Sequence, residues 1–461
     1  MSNFKASKNG AVSRRAFFHG AVGTLALPYF VPSSASGKTA NVAPSNRITM
    51  GFVGLGGMGT NNMRGFMANV DVQVVAVCDV VEASDQYGHW YKNGWKGPWF
   101  GRESARKIVE EHYASQKQSG AFAGCDAYVD FRELLSRNDI DAVCIATPDH
   151  WHAIPTIVAA KAGKDIYCEK PLSLTVAEGR AMVEAVQRYG VVFQTGSHHR
   201  SKDHLRLACE LVRNGRIGEV QRVVTSLGPH SRRFPIDTWK PMPVPEGLDY
   251  DMWLGPAPWA PYHKDRCLYT FRFIIDYSGG ETTNTGAHKF DIVQWGLGTE
   301  LTGPVEVEDL GSEFPKTGLF DTVSKIHFRA QYANGVQLIC NPTGPDDVAA
   351  RFEGTEGWVE AGWSTLRTHP ESLKDSVIGP NEIHLYQSTE HKRDFLDCIK
   401  TRRDPIAPVQ VGHRSASLCH IANIAMMLKR KLRWDPKAER FTNDSHANLM
   451  LSRPMRSPWH L

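Results

Sequence analysis

The chain has 461 residues, 41% hydrophobic and 22% charged, which suits a globular protein too long for one hydrophobic core and predicts two domains. Its formal net charge of +4 equals the contribution of Lys5, Lys8, Arg14 and Arg15 in an acid-free leader. The remainder is therefore neutral overall, which excludes nucleic acid and a membrane surface as expected partners. Nine scattered cysteines with no C-x-x-C spacing exclude a disulfide framework and a cysteine–zinc pattern.

The leader carries Ser13-Arg14-Arg15-Ala16-Phe17-Phe18, then an apolar run over 21–31, then the small residues Ser33, Ser34 and Ala35. This layout predicts a twin-arginine export signal over 1–35 and a periplasmic protein. The run is too short and too broken by Gly and Pro to span a bilayer. Residues 36–46, rich in Ser, Gly, Ala, Asn and Pro, read as a linker. Unpaired thiols fit a protein that folds before it is exported.

A strand is expected from Arg47, followed by the loop Gly54-Leu55-Gly56-Gly57-Met58-Gly59 and a helix over 61–69. Gly54, Gly56 and Gly59 fit G-x-G-x-x-G, in which the glycines permit a tight turn, close approach to a pyrophosphate and close helix–strand packing. The loop, including Gly57 and Met58, is expected to hold the phosphates at the helix N-terminus. With 40 glycines the motif arises by chance, so its surroundings decide. They fit: a buried strand over 72–79 ends in Asp79, about 20 residues beyond the loop, where a carboxylate accepts hydrogen bonds from ribose hydroxyls. A carboxylate there repels a 2′-phosphate, which favours NAD over NADP.

Residues 81–101 form a long aromatic loop of undetermined role. Helices are expected over 103–113, 131–136, 153–162 and 176–188, alternating with strands over 128–130, 142–146, 165–168 and 191–194. Alternation of this kind builds a doubly wound parallel sheet. Two turns stand at its ligand-binding edge, Thr147-Pro148-Asp149-His150-Trp151-His152 and Glu169-Lys170-Pro171. Thr147, Pro148, His152, Glu169 and Lys170 are expected along the cofactor. Beyond a helix over 204–214, strands over 220–227, 305–309, 323–332, 336–340, 349–353 and 358–361 predict an α+β domain with a large, mostly antiparallel open sheet. Helices are expected over 390–400 and 415–431, and residues 434–461 are expected to wrap the surface. No metal site is expected: neither His150/His152 nor His198/His199 has a partnering acid or cysteine at ligand spacing.

The glycine loop, Glu169-Lys170-Pro171, and Gly279-Gly280-Glu281-Thr282-Thr283-Asn284-Thr285-Gly286-Ala287-His288-Lys289-Phe290-Asp291 together resemble the Gfo/Idh/MocA family. The resemblance runs from Arg47 to the C-terminus. It implies an NAD-binding Rossmann domain, here 47–197, followed by an α/β substrate domain, here 198–461, whose open sheet forms a homo-oligomer contact. It also implies a sugar or polyol substrate. Carried over, Lys170 contacts the substrate hydroxyl and the nicotinamide region, and His288 is the general acid/base. Where the family often has aspartate, this chain has Asn284, which orients a hydroxyl but exchanges no proton. Asp291 is placed to pair with His288 or to cap a helix.

The expected reaction is hydride transfer between nicotinamide and a carbinol carbon, with the hydroxyl proton passed to a base tuned near neutrality. An exported enzyme lacks an obvious pool of free NAD, so the cofactor is expected to be tightly bound and reset in each cycle. That leaves room for a redox-neutral glycosidase, resembling the NAD-dependent α-N-acetylgalactosaminidases of the same superfamily. A non-catalytic sugar-binding or cofactor-binding protein is the third reading, to which Asn284 gives weight and Lys170 and His288 do not.

Overall fold

The computed structural model describes residues 46–85, 100–228, 238–345 and 347–461. The expected export signal, nearly all of the expected linker, most of residues 81–101 and residues 229–237 therefore lie outside the described residues. Ile48–Leu461 form one unit by contacts.

The first sheet has six parallel strands, β1 (Ile48–Val53), β2 (Val72–Cys78), β3 (Asp126–Tyr128), β4 (Ala142–Ile145), β5 (Asp165–Cys168) and β6 (Phe193–Thr195), in the order β3-β2-β1-β4-β5-β6. Its central strands are continuous apolar runs because both faces are covered. Met50, Phe52, Val74, Val77 and Ile145 are all buried. The order reverses between β1 and β4, which opens a crevice at the carboxyl ends of the strands.

The second sheet has nine strands: β7 (Val220–Ser226), β8 (Glu306–Asp309), β9 (Phe328–Gln331), β10 (Gln337–Asn341), β11 (Val348–Gly354), β12 (Trp358–Gly362), β13 (Leu366–His369), β14 (Leu432–Asp435) and β15 (Arg440–Phe441). Their order is β13-β12-β11-β7-β10-β9-β8-β14-β15. Only the β7–β10 pair is parallel. One face buries Val223, Leu338, Phe352 and Val359 against the helices Asp203–Arg213, Gly286–Leu297 and Val409–Leu428. The other face carries ion pairs between Arg222 and Glu353, Arg329 and Glu308, and Arg367 and Glu360. This alternation of apolar and charged residues is that of a sheet covered on one side.

Several expectations change, among them the helix expected over 415–431, which spans Val409–Leu428, and the strand expected over 128–130, which spans Asp126–Tyr128. The first helix spans Gly57–Met67 rather than 61–69, because Gly56 already serves as its N-cap inside the glycine motif. The strand over 323–332 contracts to β9. Residues 434–461 do not merely wrap the surface: β14 and β15 extend the second sheet and bury Trp434 and Phe441. Helix Gly286–Leu297 and edge strand β13 had no counterpart in the sequence reading. Among the described residues, no helix is long and apolar enough to cross a membrane.

Candidate active site

A cleft of about 380 Å³ runs along the carboxyl edge of the first sheet, from the glycine loop to the second sheet's helices. Gly54, Gly56, Gly57, Met58 and Asp79 line one end, Thr147 and Pro148 the middle, and Lys170, Arg272, Asn284 and His288 the other end.

Backbone shape makes the glycine end. Gly54 has φ +87°, and a Cβ there would lie 2.7 Å from the Ala146 carbonyl carbon. A Cβ on Gly59 would lie 1.8 Å from the Gly54 carbonyl oxygen. These two positions exclude any side chain and leave a cradle over the helix N-terminus. Asp79 follows β2, and its Oδ2 and Oδ1 accept from the backbone N–H of Leu55 at 2.5 Å and of Val81 at 2.8 Å. Burial raises its pKa, and those two hydrogen bonds oppose the rise. A carboxylate has about four lone-pair positions, so it retains acceptors for a diol. The cradle and the carboxylate fit an adenine dinucleotide.

The two middle turns are fastened from behind. His152 sets Nδ1 2.7 Å from the Pro171 carbonyl oxygen and Nε2 2.8 Å from that of Thr147. Glu169 accepts from Asn62 Nδ2 at 2.9 Å and from the Lys170 backbone N–H at 3.2 Å. Both side chains are buried off the cleft and bind protein, so they position the turns rather than line the cofactor path. Thr147 and Pro148 do line it.

At the far end, Lys170 Nζ donates to the Asn284 carbonyl oxygen at 3.0 Å and to Asn284 Oδ1 at 3.2 Å. Arg272 Nε donates to the same Oδ1 at 3.3 Å, while Asn284 Nδ2 donates to Glu281 at 3.1 Å. The amide is thus oriented by two nitrogen donors, Lys170 and Arg272, on one side and a carboxylate on the other. Burial lowers the Lys170 pKa, and Arg272 lowers it further. His288 lines the cleft beside them, its pKa driven well below the usual value first by burial and then by Lys170. Its Nδ1 is buried without a hydrogen-bond partner.

Asp291 neither pairs with His288 nor caps a helix. It binds Arg200 through two hydrogen bonds, at 2.8 and 2.9 Å, and accepts from Ser415 Oγ at 2.8 Å. Arg200 holds the turn His198–Ser201, and so brings His198 and His199 against His288, with ring centroids 4.9 and 4.7 Å from it. Spacing along the chain does not disclose this third imidazole beside His198 and His199. Arg272 is a further site residue beyond those expected, and its guanidinium stacks on Tyr269 and Phe271 at 4.4 and 4.6 Å. The cation set among aromatics in Tyr269-Thr270-Phe271-Arg272-Phe273 was the available signal.

Two family models match the chain. "Oxidoreductase family, NAD-binding Rossmann fold" matches residues 96–197, and "Oxidoreductase family, C-terminal alpha/beta domain" matches 233–461. Both describe one family. The chain belongs to the Gfo/Idh/MocA oxidoreductases. It is an NAD-binding oxidoreductase of that family, although its glycine loop precedes the matched segments. Myo-inositol 2-dehydrogenase of Thermotoga maritima is 24% identical over 83% of this chain and 98% of its own. 2,7-Anhydro-N-acetylneuraminate hydratase of Mediterraneibacter gnavus is 33% identical over 36% of this chain, an alignment that spans 41% of the hydratase. The solved aldose-aldose oxidoreductase of Caulobacter crescentus superposes with a TM-score of 0.56 at 20% identity, over 84% of this chain and 99% of that one, and shares the fold.

Proposed function

We propose that this oxidoreductase acts on a secondary hydroxyl of a sugar or polyol, with Lys170 as the group that takes the hydroxyl proton. One observation carries the reading: Lys170, Asn284 and His288 converge at one end of a cleft whose other end is the glycine cradle. When bound, NAD supplies the hydride acceptor. Lys170 is suited as the base because burial and Arg272 favour its neutral form, while Asn284 fixes its position. His288 is neutral and a weaker base, so its role shifts from proton acceptor to holding the substrate oxygen. Asn284 serves through its acceptor oxygen, which needs no exchangeable proton. Asp79 favours NAD over NADP through its charge.

Lys170→Ala should lower kcat by about 10³-fold, within the range of positioned acid–base groups, while cofactor still co-purifies. Unchanged turnover would remove Lys170 from the mechanism. A redox-neutral cycle is the second reading, favoured by the hydratase similarity. Release of aglycone from aryl glycosides with no added NAD distinguishes it from net oxidation of free sugars. Export by the twin-arginine route is supported by the leader, and cell fractionation of an Arg14→Lys, Arg15→Lys chain tests it. Homo-oligomer formation through the open face of the second sheet rests on the family resemblance, since the ion pairs on that face are satisfied within the chain. Light scattering at low and high salt tests it.

A further inference from the structure

His198 and His199 lie on the turn after β6, and His288 lies in the first turn of helix Gly286–Leu297. One ring nitrogen from each falls within 4.8 Å of the other two. The centre of a triangle that size is at most about 2.8 Å from each corner, so ring shifts of under ~1 Å reach the zinc–imidazole bond length of about 2.0–2.1 Å. We propose that His198, His199 and His288 bind one divalent ion of the zinc class, and that a substrate oxygen completes its coordination.

Three further observations support a built site. Nδ1 of His199 and Nδ1 of His288 are buried and have no partner, which is costly for a polar atom unless a ligand answers it. The two elements are clamped: Arg200, next to His199, is paired with Asp291, one helical turn beyond His288. His199 is further held by stacking on Trp363, centroids 4.2 Å apart and planes inclined by 22°. Three histidines with an open further position are the donor set of catalytic rather than structural zinc.

His288 lines the cleft beside Lys170, so an ion held by it would border the end where the substrate hydroxyl is expected. An ion there polarises the carbinol oxygen and lowers the pKa of its proton, which Lys170 then accepts. Ion binding itself is independent of the oxidoreductase reading; the ligation of substrate oxygen rests on that reading.

The full-length chain, stripped with chelator and dialysed, is titrated with Zn²⁺ and with Co²⁺. One ion per chain is expected, and the cobalt form should show the intense visible absorption of a tetrahedral or five-coordinate centre. Only the weak spectrum of the hydrated ion, or no stoichiometric uptake, would overturn the proposal. His198→Gln and His199→Gln should each weaken binding about 100-fold with the melting temperature of the metal-free chain unchanged. Equal affinity in both variants would also overturn it, and the cobalt spectrum decides without them should either fail to fold. Cofactor retention is measured on the same samples. Uptake of the ion by a chain that, supplied with NAD, oxidises no sugar or polyol would sink the proposed substrate reading and leave the site standing.

Discussion

The two ends of the cleft are built in opposite ways. The glycine end comes from one contiguous strand, turn, helix and strand, between β1 and Asp79, and its chemistry is mostly backbone. Nothing larger than hydrogen fits at Gly54 or Gly59. The Lys170 end is assembled from the tip of β5, the turn after β6, the Tyr269–Phe273 segment, the helices beyond it and Trp363 at the end of β12. Its chemistry is side-chain chemistry, and long-range buried contacts hold it. The first end is therefore sensitive to added atoms and the second to lost partners.

Asp291→Ala tests the second end most severely. It leaves the Arg200 guanidinium, 3% exposed, without its counter-charge. Removing one partner of a buried ion pair costs about 3–5 kcal/mol. A fall of that size in denaturant stability is expected, with disordered His198 and His199 and a higher KM, while cofactor retention changes little. A loss confined to the cofactor would contradict the division between the ends. Gly59→Ala is the converse. Its Cβ must push aside the Gly54 carbonyl, an overpacking that costs about 1–3 kcal/mol. Co-purifying NAD should disappear from the absorbance and mass of the isolated protein, and zinc uptake at the three histidines should persist.

The same division explains what the sequence disclosed. Parallel strands covered on both faces are unbroken apolar runs, so β1, β2, β4 and β5 were legible, as was the glycine motif between the first two. Lys170 and His288 were legible only through the family resemblance. Helix Gly286–Leu297 was missed because it is buried on nearly every side and begins with glycine, leaving neither an amphipathic stripe nor a capping side chain to read. Strands β14 and β15 are four and two residues long, too short to show alternation. The meeting of His198, His199 and His288 depends on Arg200 finding Asp291, a pairing that spacing along the chain does not encode. Arg272 is marked in the sequence by its aromatic neighbours, but its place at the site depends on Asn284 Oδ1 coming to it.

Asn284→Asp should produce the smallest effect and the sharpest reading of the Lys170 end. The residue's acceptor faces Lys170 and Arg272, and its Nδ2 faces Glu281 at 3.1 Å. An aspartate keeps the first contacts and replaces the second with two carboxylates in apposition, one of which retains a proton into higher pH. Negative charge then reaches Lys170 and favours its ammonium form, opposing the lowering by burial and Arg272. If neutral Lys170 is the active form, the rising limb of kcat/KM against pH moves upward, the shared proton cancelling part of the added charge. Turnover at alkaline pH should be recovered, and zinc affinity should be unaffected. A limb displaced to lower pH would mean that the titrating base is not Lys170. An unmoved limb with lost turnover at every pH would mean that Asn284 acts through its Nδ2 contact with Glu281, not through the oxygen it presents to Lys170.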